Sequence, residues 1–140
     1  MAQQQVASRE RTDQVDEYDA IARVINLYME GSAKGQAEKV KEAFHPDARM
    51  FGSLGGQRFD IPIQALIEMT AKGPADTAGR YRGRILSVMQ VGDAAMAAIA
   101  EDGFWCAVSF VDFFTLAKID GRWVIVNKTF AHTGGEPPSF

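Results

Sequence analysis

The sequence predicts an α+β fold in which three N-terminal helices precede, and pack against, a long antiparallel meander. Two observations lead to this prediction. In the first half of the chain, apolar residues such as Ile21, Ile25 and Tyr28 recur at helical spacing. In the second half, β-rich runs follow one another, and the last two are joined by Asp120-Gly121. Both residues of a tight hairpin turn must tolerate positive φ, so Asp-Gly between such runs indicates a hairpin.

Three helices are expected, over residues 17–33, 37–45 and 63–71. The second stops at His45, because the residue before a proline avoids helical geometry. The third begins after Pro62, since proline is favoured at the start of a helix.

The sheet is expected to hold a short first strand and about four long ones. The short strand covers 48–54, and the long strands cover 80–91, 94–101, 104–119 and 123–132. The turns between the long strands fall at 92–93, 102–103 and 120–121.

The chain length of 140 residues suits one domain with a sizeable core. We place this domain at 15–132. Residues 1–14 are polar and mixed in charge, which predicts a disordered or loosely ordered lead. Residues 133–140 contain Gly-Gly and Pro-Pro, which predict a loose tail.

Composition excludes several classes of partner. With 15 basic and 18 acidic residues the net charge is −3, so neither nucleic acid nor an anionic membrane is an expected partner. No apolar run is long enough to span a bilayer, and the N-terminus lacks the apolar core of a signal peptide.

Cys106 is the single cysteine, which fits a reducing, cytoplasmic location, and its apolar surroundings predict a buried, inert thiol.

Asp112 is the most informative single residue. Phe110 and Phe114 lie two positions away on either side, so the three side chains share one face of a strand. A carboxyl on an apolar face costs free energy unless it is paired, hydrogen-bonded or protonated. Asp112 therefore either lines a ligand pocket or forms a structural ion pair with Lys128, which is expected on the same face of the next strand.

The opposite face of the same strand is apolar as well, with Trp105, Val111 and Phe113. A sheet covered by helices on one side only should have a polar second face. We therefore expect a second copy of the chain to cover this face, giving a homodimer through the outer surface of the sheet.

Several short motifs resemble a known superfamily. They are Phe-His-Pro-Asp-Ala at 44–48, Val-Gly-Asp-Ala-Ala at 91–95, Gly-Arg-Trp at 121–123 and Asn-Lys-Thr-Phe at 127–130. With the order of helices and strands, they resemble the nuclear transport factor 2-like superfamily and, within it, the "putative lumazine-binding" group, over about residues 18–132. The resemblance implies a cone-shaped, curved sheet wrapped by helices around an internal pocket. Relatives include ketosteroid isomerases, polyketide cyclases and dehydratases, and also proteins without known activity.

The resemblance also implies roles for individual residues. Tyr28 resembles the oxyanion-hole tyrosine of ketosteroid isomerases, and Asp112 resembles their second oxyanion-hole residue, a protonated acid; that enzyme is a standard example of such an acid. The general base of those enzymes, however, falls at Gly52 here, and glycine cannot abstract a proton. Catalytic candidates are Tyr28, Asp112 and the two histidines, His45 and His132, whose ordinary pKa suits proton transfer.

Three functions remain open from the sequence. The first is a pocket for one small, apolar or aromatic organic molecule, with expected ligand contacts Tyr28, Met50, Phe110, Asp112, Phe114, Lys128 and Phe130. The second is a cofactor-free isomerase, cyclase or dehydratase acting on a carbonyl compound, with Tyr28 and Asp112 stabilising an oxyanion. The third is a dimerisation module with a filled interior. Neither a metal site nor a cofactor motif is present in the sequence.

Overall fold

The computed structural model describes residues 13–139, which form three helices and one six-stranded sheet. The helices are α1 (Gln14–Lys34), α2 (Ala37–Ala43) and α3 (Ile63–Lys72). The strands are β1 (Phe44–Leu54), β2 (Gln57–Pro62), β3 (Arg82–Val91), β4 (Ala94–Phe104), β5 (Val108–Ile119) and β6 (Arg122–Gly134). The predicted α+β class is confirmed. Most of the lead predicted for 1–14 lies outside the described residues.

The sheet is curved and mixed, with the strand order β2-β1-β6-β5-β4-β3. Every neighbouring pair is antiparallel except β1 and β6, which run parallel. The expectation of a purely antiparallel sheet was therefore wrong at this one junction. The register places Met50 beside Lys128 across β1 and β6, and Asp112 beside Phe130 across β5 and β6.

The first half of the chain also holds a strand that the sequence analysis missed. Gly55 and Gly56 both have positive φ, at 57° and 83°, so they form a tight turn and do not end the sheet. The chain turns back as β2 at the sheet edge. Strand β1 begins at Phe44, earlier than expected, because the residue before Pro46 prefers extended backbone and joins the strand, not the helix.

The turn between β4 and β5 differs from the expectation. It lies at residues 105–107, three residues later than predicted, and Trp105 and Cys106 adopt positive φ of 49° and 80°. The backbone N–H of Trp105 donates to the carbonyl of Ala75 at 2.7 Å, which anchors the turn to the segment after α3. Cys106 is consequently half-exposed in a turn, not buried in a strand, and Trp105 does not join the outer face of the sheet.

Helix α1 lies against the inner face of the sheet and supplies Ile21, Ile25 and Tyr28, all fully buried, to the core. At its N-terminal end Glu17 accepts hydrogen bonds from Lys118 Nζ at 2.7 Å and Trp123 Nε1 at 2.8 Å. These contacts attach α1 to the β5–β6 hairpin. Within residues 13–139, no helix has both the length and the apolar character needed to cross a bilayer.

Candidate functional site

A cavity of about 240 Å³ lies between the inner face of the sheet and the helices. Its wall is mostly apolar and consists of Met50, Leu54, Phe59, Leu66, Met69, Phe104, Trp105, Phe110 and Phe130. The polar groups that reach it belong to Tyr28, Gln57, Glu101 and Lys128. An apolar wall with a few polar groups is typical of a binding site for small organic molecules.

Five of the expected ligand contacts line this cavity: Tyr28, Met50, Phe110, Lys128 and Phe130. The other two, Asp112 and Phe114, are on the same face of β5 but lie beneath the cavity wall. The Phe114 ring packs edge-on against Tyr28, with 5.5 Å between ring centroids. Asp112 is 1% exposed, so a bound molecule would meet it only through its neighbours.

Asp112 is surrounded by polar groups from three other elements. Its Oδ2 lies 3.5 Å from the hydroxyl of Tyr28 on α1, which donates to it, and 3.9 Å from Lys128 Nζ on β6. The ion pair that the sequence analysis left open is therefore present. Both contacts are long for their type. Glu101 on β4 lies diagonal to Asp112, and its Oε1 and Asp112 Oδ1 are both buried without a hydrogen-bond partner among the described residues.

Glu101 is the functional candidate that the sequence analysis missed. It lies opposite Phe110 across β4 and β5, diagonal to Asp112, and is 1% exposed. The hydroxyl of Tyr81 donates to its Oε2 at 2.5 Å. A sequence signal for Glu101 exists. Glu101 continues the series Ala95, Ala97 and Ile99, whose side chains point toward the core at every second position. Placing the turn at 102–103 moved Glu101 to the end of a strand, where a carboxyl is unremarkable.

The protonation of Glu101 follows from its surroundings. Burial raises the pKa of Glu101 well above the ordinary value, and the charge of Asp112 and the hydrogen bond with Asp112 raise it further. Lys128 and Tyr81 oppose this rise only in part. These surroundings favour the protonated form of Glu101.

The two tyrosines remain hydrogen-bond donors for a related reason. Burial raises the pKa of Tyr28 well above 10, and the carboxyls of Glu101 and Asp112 add to the rise. Burial also raises the pKa of Tyr81, again with the charge of Glu101 as the next cause. Both hydroxyls thus keep their protons at neutral pH and can donate hydrogen bonds.

Lys128 places an ammonium group at the cavity wall. Among the residues that the structure describes, its Nζ hydrogen-bonds to Met50 Sδ at 3.4 Å, a weak acceptor. The rings of Tyr28 and Phe130 lie 5.3 and 5.2 Å from Nζ, close enough for cation–π attraction. An ammonium has three N–H donors, so Lys128 retains donors for an oxygen in the cavity.

Neither histidine lines the cavity. His132 Nδ1 accepts the backbone N–H of Gly55 at 3.2 Å, which assigns the proton to Nε2, and Nε2 faces the carbonyls of Gly134 and Gly135 at 3.0 and 2.6 Å. His45 lies on β1, away from the cavity, and its Nδ1 accepts the N–H of Asp47 at 3.0 Å. Both rings make backbone contacts.

Gly52, at the position of the general base in ketosteroid isomerases, has no room for a side chain. A Cβ atom there would lie 2.6 Å from the Phe130 carbonyl oxygen and 2.7 Å from its ring. The ring of Phe130 therefore takes the space of a carboxylate. Within residues 13–139, no group of three or more His, Cys, Asp or Glu side chains is arranged to hold a metal ion.

Comparison with known proteins identifies the family. The sequence profile described as "Putative lumazine-binding" matches residues 16–131. The chain belongs to this family of the NTF2-like superfamily. Two solved NTF2-like proteins of unknown function share its fold. The one from Shewanella baltica is 30% identical, with a TM-score of 0.80 over 89% of this chain and all of the other. The one from Methylobacillus flagellatus is 36% identical, with a TM-score of 0.79 over 88% of this chain and 97% of the other.

A curated relative has a name that refers to a reaction. It is the protein called Aldolase FrzH from Cladobotryum sp., which is 27% identical over 114 residues, covering 81% of this chain and 90% of that protein. The family profile and the solved NTF2-like proteins confirm the expected resemblance to the NTF2-like superfamily and its lumazine-binding group.

Proposed function

We propose that this protein binds one small, largely apolar organic molecule that carries a neutral oxygen acceptor, one molecule per cavity. Membership of a family described as lumazine-binding supports a small-molecule role. The observation that carries the proposal is the Lys128 ammonium at the wall of an otherwise apolar cavity, with weak partners of its own.

The shape of the wall favours a molecule with a ring. The rings of Phe110 and Phe104 meet at 86° with centroids 5.2 Å apart, and those of Phe110 and Phe130 at 88° with centroids 5.6 Å apart. Edge-to-face aromatic walls present flat faces and polarised ring edges, which suit an aromatic or cyclic guest.

The charges at the cavity favour a neutral molecule. Lys128 brings one positive charge, Asp112 brings one negative charge 3.9 Å from it, and burial favours the neutral form of Glu101. These charges offset each other. A charged guest would leave one charge uncompensated in an apolar site, at a high cost in free energy. A ketone, aldehyde, lactone or amide oxygen meets both requirements.

Native mass spectrometry of freshly purified protein tests this proposal by looking for a co-purified molecule. The variant Met69→Trp, which fills the cavity from α3, should lose that molecule. The matched control Glu68→Trp lies next to it on the exposed side of the same helix and should retain it. Equal retention by both variants would contradict binding in the cavity.

A second candidate function is catalysis on a carbonyl compound, without a cofactor. The relative named as an aldolase supports it, and so does the convergence of Tyr28, Glu101 and Lys128 on one cavity. In this site Tyr28 and Lys128 reach a substrate oxygen directly, and Asp112 acts from behind Tyr28. The compound 4-hydroxy-4-phenyl-2-butanone is a suitable probe, because retro-aldol cleavage releases benzaldehyde, which absorbs in the ultraviolet. No benzaldehyde above the buffer rate would count against aldol cleavage.

We also infer that two copies pair through the outer face of the sheet. Met89, Met96 and Phe113 lie side by side on β3, β4 and β5 and are 66%, 58% and 57% exposed. Analytical ultracentrifugation should find a dimer for the unchanged protein and a monomer for Phe113→Glu. The control Tyr18→Glu, on the exposed side of α1, should remain dimeric. A monomeric unchanged protein would overturn this inference.

A further inference from the structure

We propose that Glu101 exchanges a proton with the bound molecule while Asp112 beside it holds the proton that the two carboxyls share, for ketones or aldehydes that carry hydrogen on the carbon next to the carbonyl. This inference rests on the proposed function, because it names the chemistry of the same cavity.

The two carboxyls differ in their access to the cavity. Both are 1% exposed, but Glu101, the outer carboxyl, is among the residues that line the cavity, whereas Asp112, the inner one, is not. They occupy diagonal positions of the β4–β5 ladder, which brings them close together. The inner carboxyl can therefore reach a guest only through the outer one.

Two unpartnered oxygens favour a proton on the pair. Among the described residues, Glu101 Oε1 and Asp112 Oδ1 are buried without a hydrogen-bond partner. Two carboxylates can only accept, so a proton on one of them would let it donate to the other. A shared proton removes this cost, and it leaves the pair able to take up a second proton.

Charged and titratable groups from three other elements or their flanks face the pair. Tyr28 projects from α1, Tyr81 from the residue before β3, and Lys128 from β6, while Asp112 itself is on β5. Tyr81 donates to Glu101 Oε2 and so fixes the orientation of the outer carboxyl. Lys128 supplies the positive charge that keeps one negative charge on the pair.

The proposed step is a proton transfer that needs no oxidant, reductant or cofactor. The shared proton shifts to Asp112, and the ionised Glu101 removes a proton from the carbon next to the carbonyl. The electron pair of that C–H bond forms a C=C bond, and the carbonyl π electrons move to oxygen. Lys128, whose ammonium retains donors, then donates to the resulting enolate oxygen. Return of the proton to the same carbon, or to another, restores the pair.

Proton–deuterium exchange measures this step directly. The probes are 2-tetralone, 2-indanone and phenylacetone in deuterated buffer, with exchange at the carbon next to the carbonyl followed by NMR. The unchanged protein should accelerate exchange above the buffer rate for a ketone that binds. Glu101→Gln, which keeps the shape and a hydrogen-bond donor, should lower the acceleration by at least about 100-fold.

Two further variants make the assignment specific. Glu17→Gln is the matched control, because Glu17 is also a buried carboxyl but lies away from the cavity, and it should exchange ketone protons like the unchanged protein. Asp112→Asn removes the charge that disfavours ionisation of Glu101. The low-pH limb of the rate profile should therefore move to lower pH, which a merely structural role of Asp112 would not produce.

The outcomes distinguish this inference from the proposed function. Saturation-transfer NMR measures ketone binding independently of exchange. If a ketone binds but its exchange is not accelerated, the role of Glu101 is overturned and the proposed function stands. The same conclusion follows if Glu101→Gln and the unchanged protein exchange ketone protons equally fast. If no ketone binds, the substrate class is wrong and this inference falls, whereas a co-purified molecule of another class would still support the proposed function.

Discussion

Lys128 and Asp112 form a buried ion pair between β6 and β5, with 3.9 Å between Nζ and Oδ2. Their side chains are 7% and 1% exposed, so both charges have left bulk water. Neither partner can lose its charge without affecting the other, because an unpaired charge in this environment is strongly unfavourable. The pair therefore holds Lys128 in place at the wall of the cavity.

Replacing Lys128 with methionine should lower the free energy of unfolding by about 3–5 kcal/mol, because it leaves the Asp112 charge uncompensated. The double variant Lys128→Met with Asp112→Asn should recover most of this loss. Urea denaturation followed by circular dichroism measures both, with the exposed Lys72→Met as control. A double variant as unstable as the single one would show that the charges do not compensate each other.

Glu101 should make the protein less stable as pH rises. Its pKa is raised in the folded state, so the unfolded chain releases this proton first, and the unfolded state binds fewer protons between the two pKa values. Over that window, which starts near the ordinary value of 4.5, the free energy of unfolding falls by up to about 1.4 kcal/mol per pH unit. Glu101→Gln should flatten this decline in urea denaturation between pH 5 and pH 8, measured at one-unit steps. An unchanged slope would contradict a protonated Glu101.

Glu17 should act in the opposite direction. The hydrogen bond from Lys118 is the main reason that the pKa of Glu17 is lowered, although burial opposes it. A lowered pKa stabilises the fold above the unfolded value, and the stabilisation is lost as pH falls through the folded value. Glu17→Gln should therefore cost about 1–3 kcal/mol at pH 7 and much less at acidic pH. Thermal unfolding at both pH values checks this, and equal losses at both would contradict it.

Gly52 should tolerate no side chain. The Cβ of Gly52→Ala would approach the Phe130 carbonyl oxygen to 2.6 Å, and backbone cannot yield as a flexible side chain can. The expected loss is about 1–3 kcal/mol. Gly73→Ala is the matched control, because nothing lies within 4 Å of a Cβ at that position. Urea denaturation of the two variants should separate them clearly; similar midpoints would mean that Phe130 moves aside.

The sequence was sufficient for the elements with strong periodicity. The three helices, the hairpin at Asp120-Gly121 and the apolar face around Asp112 follow from patterns that are local in the chain. No local pattern signals the parallel pairing of β1 with β6, because that pairing joins segments about 80 residues apart. Strand β2 was missed because Gly55-Gly56 signals either a strand end or a tight turn, and only pairing decides between them.

The candidate site was predicted in part for the same reason. Lys128 and Asp112 were correctly placed on one face, because side-chain alternation on β5 and β6 is regular at that point. Glu101 and Trp105 were not assigned to the site, because both depend on where the β4–β5 turn lies. Because the turn lies three residues later than predicted, Trp105 lines the cavity and not the outer face of the sheet. For the same reason Glu101 lies within β4 among buried groups, not at the end of a strand.

The position of Trp105 has a practical consequence. The protein contains two tryptophans, and they occupy unlike environments: Trp105 borders the cavity, whereas the indole N–H of Trp123 is bound to Glu17 at the far end of α1. In a Trp123→Phe background the remaining indole is an intrinsic fluorophore at the site itself. Its emission would then report occupancy in real time, without any added label.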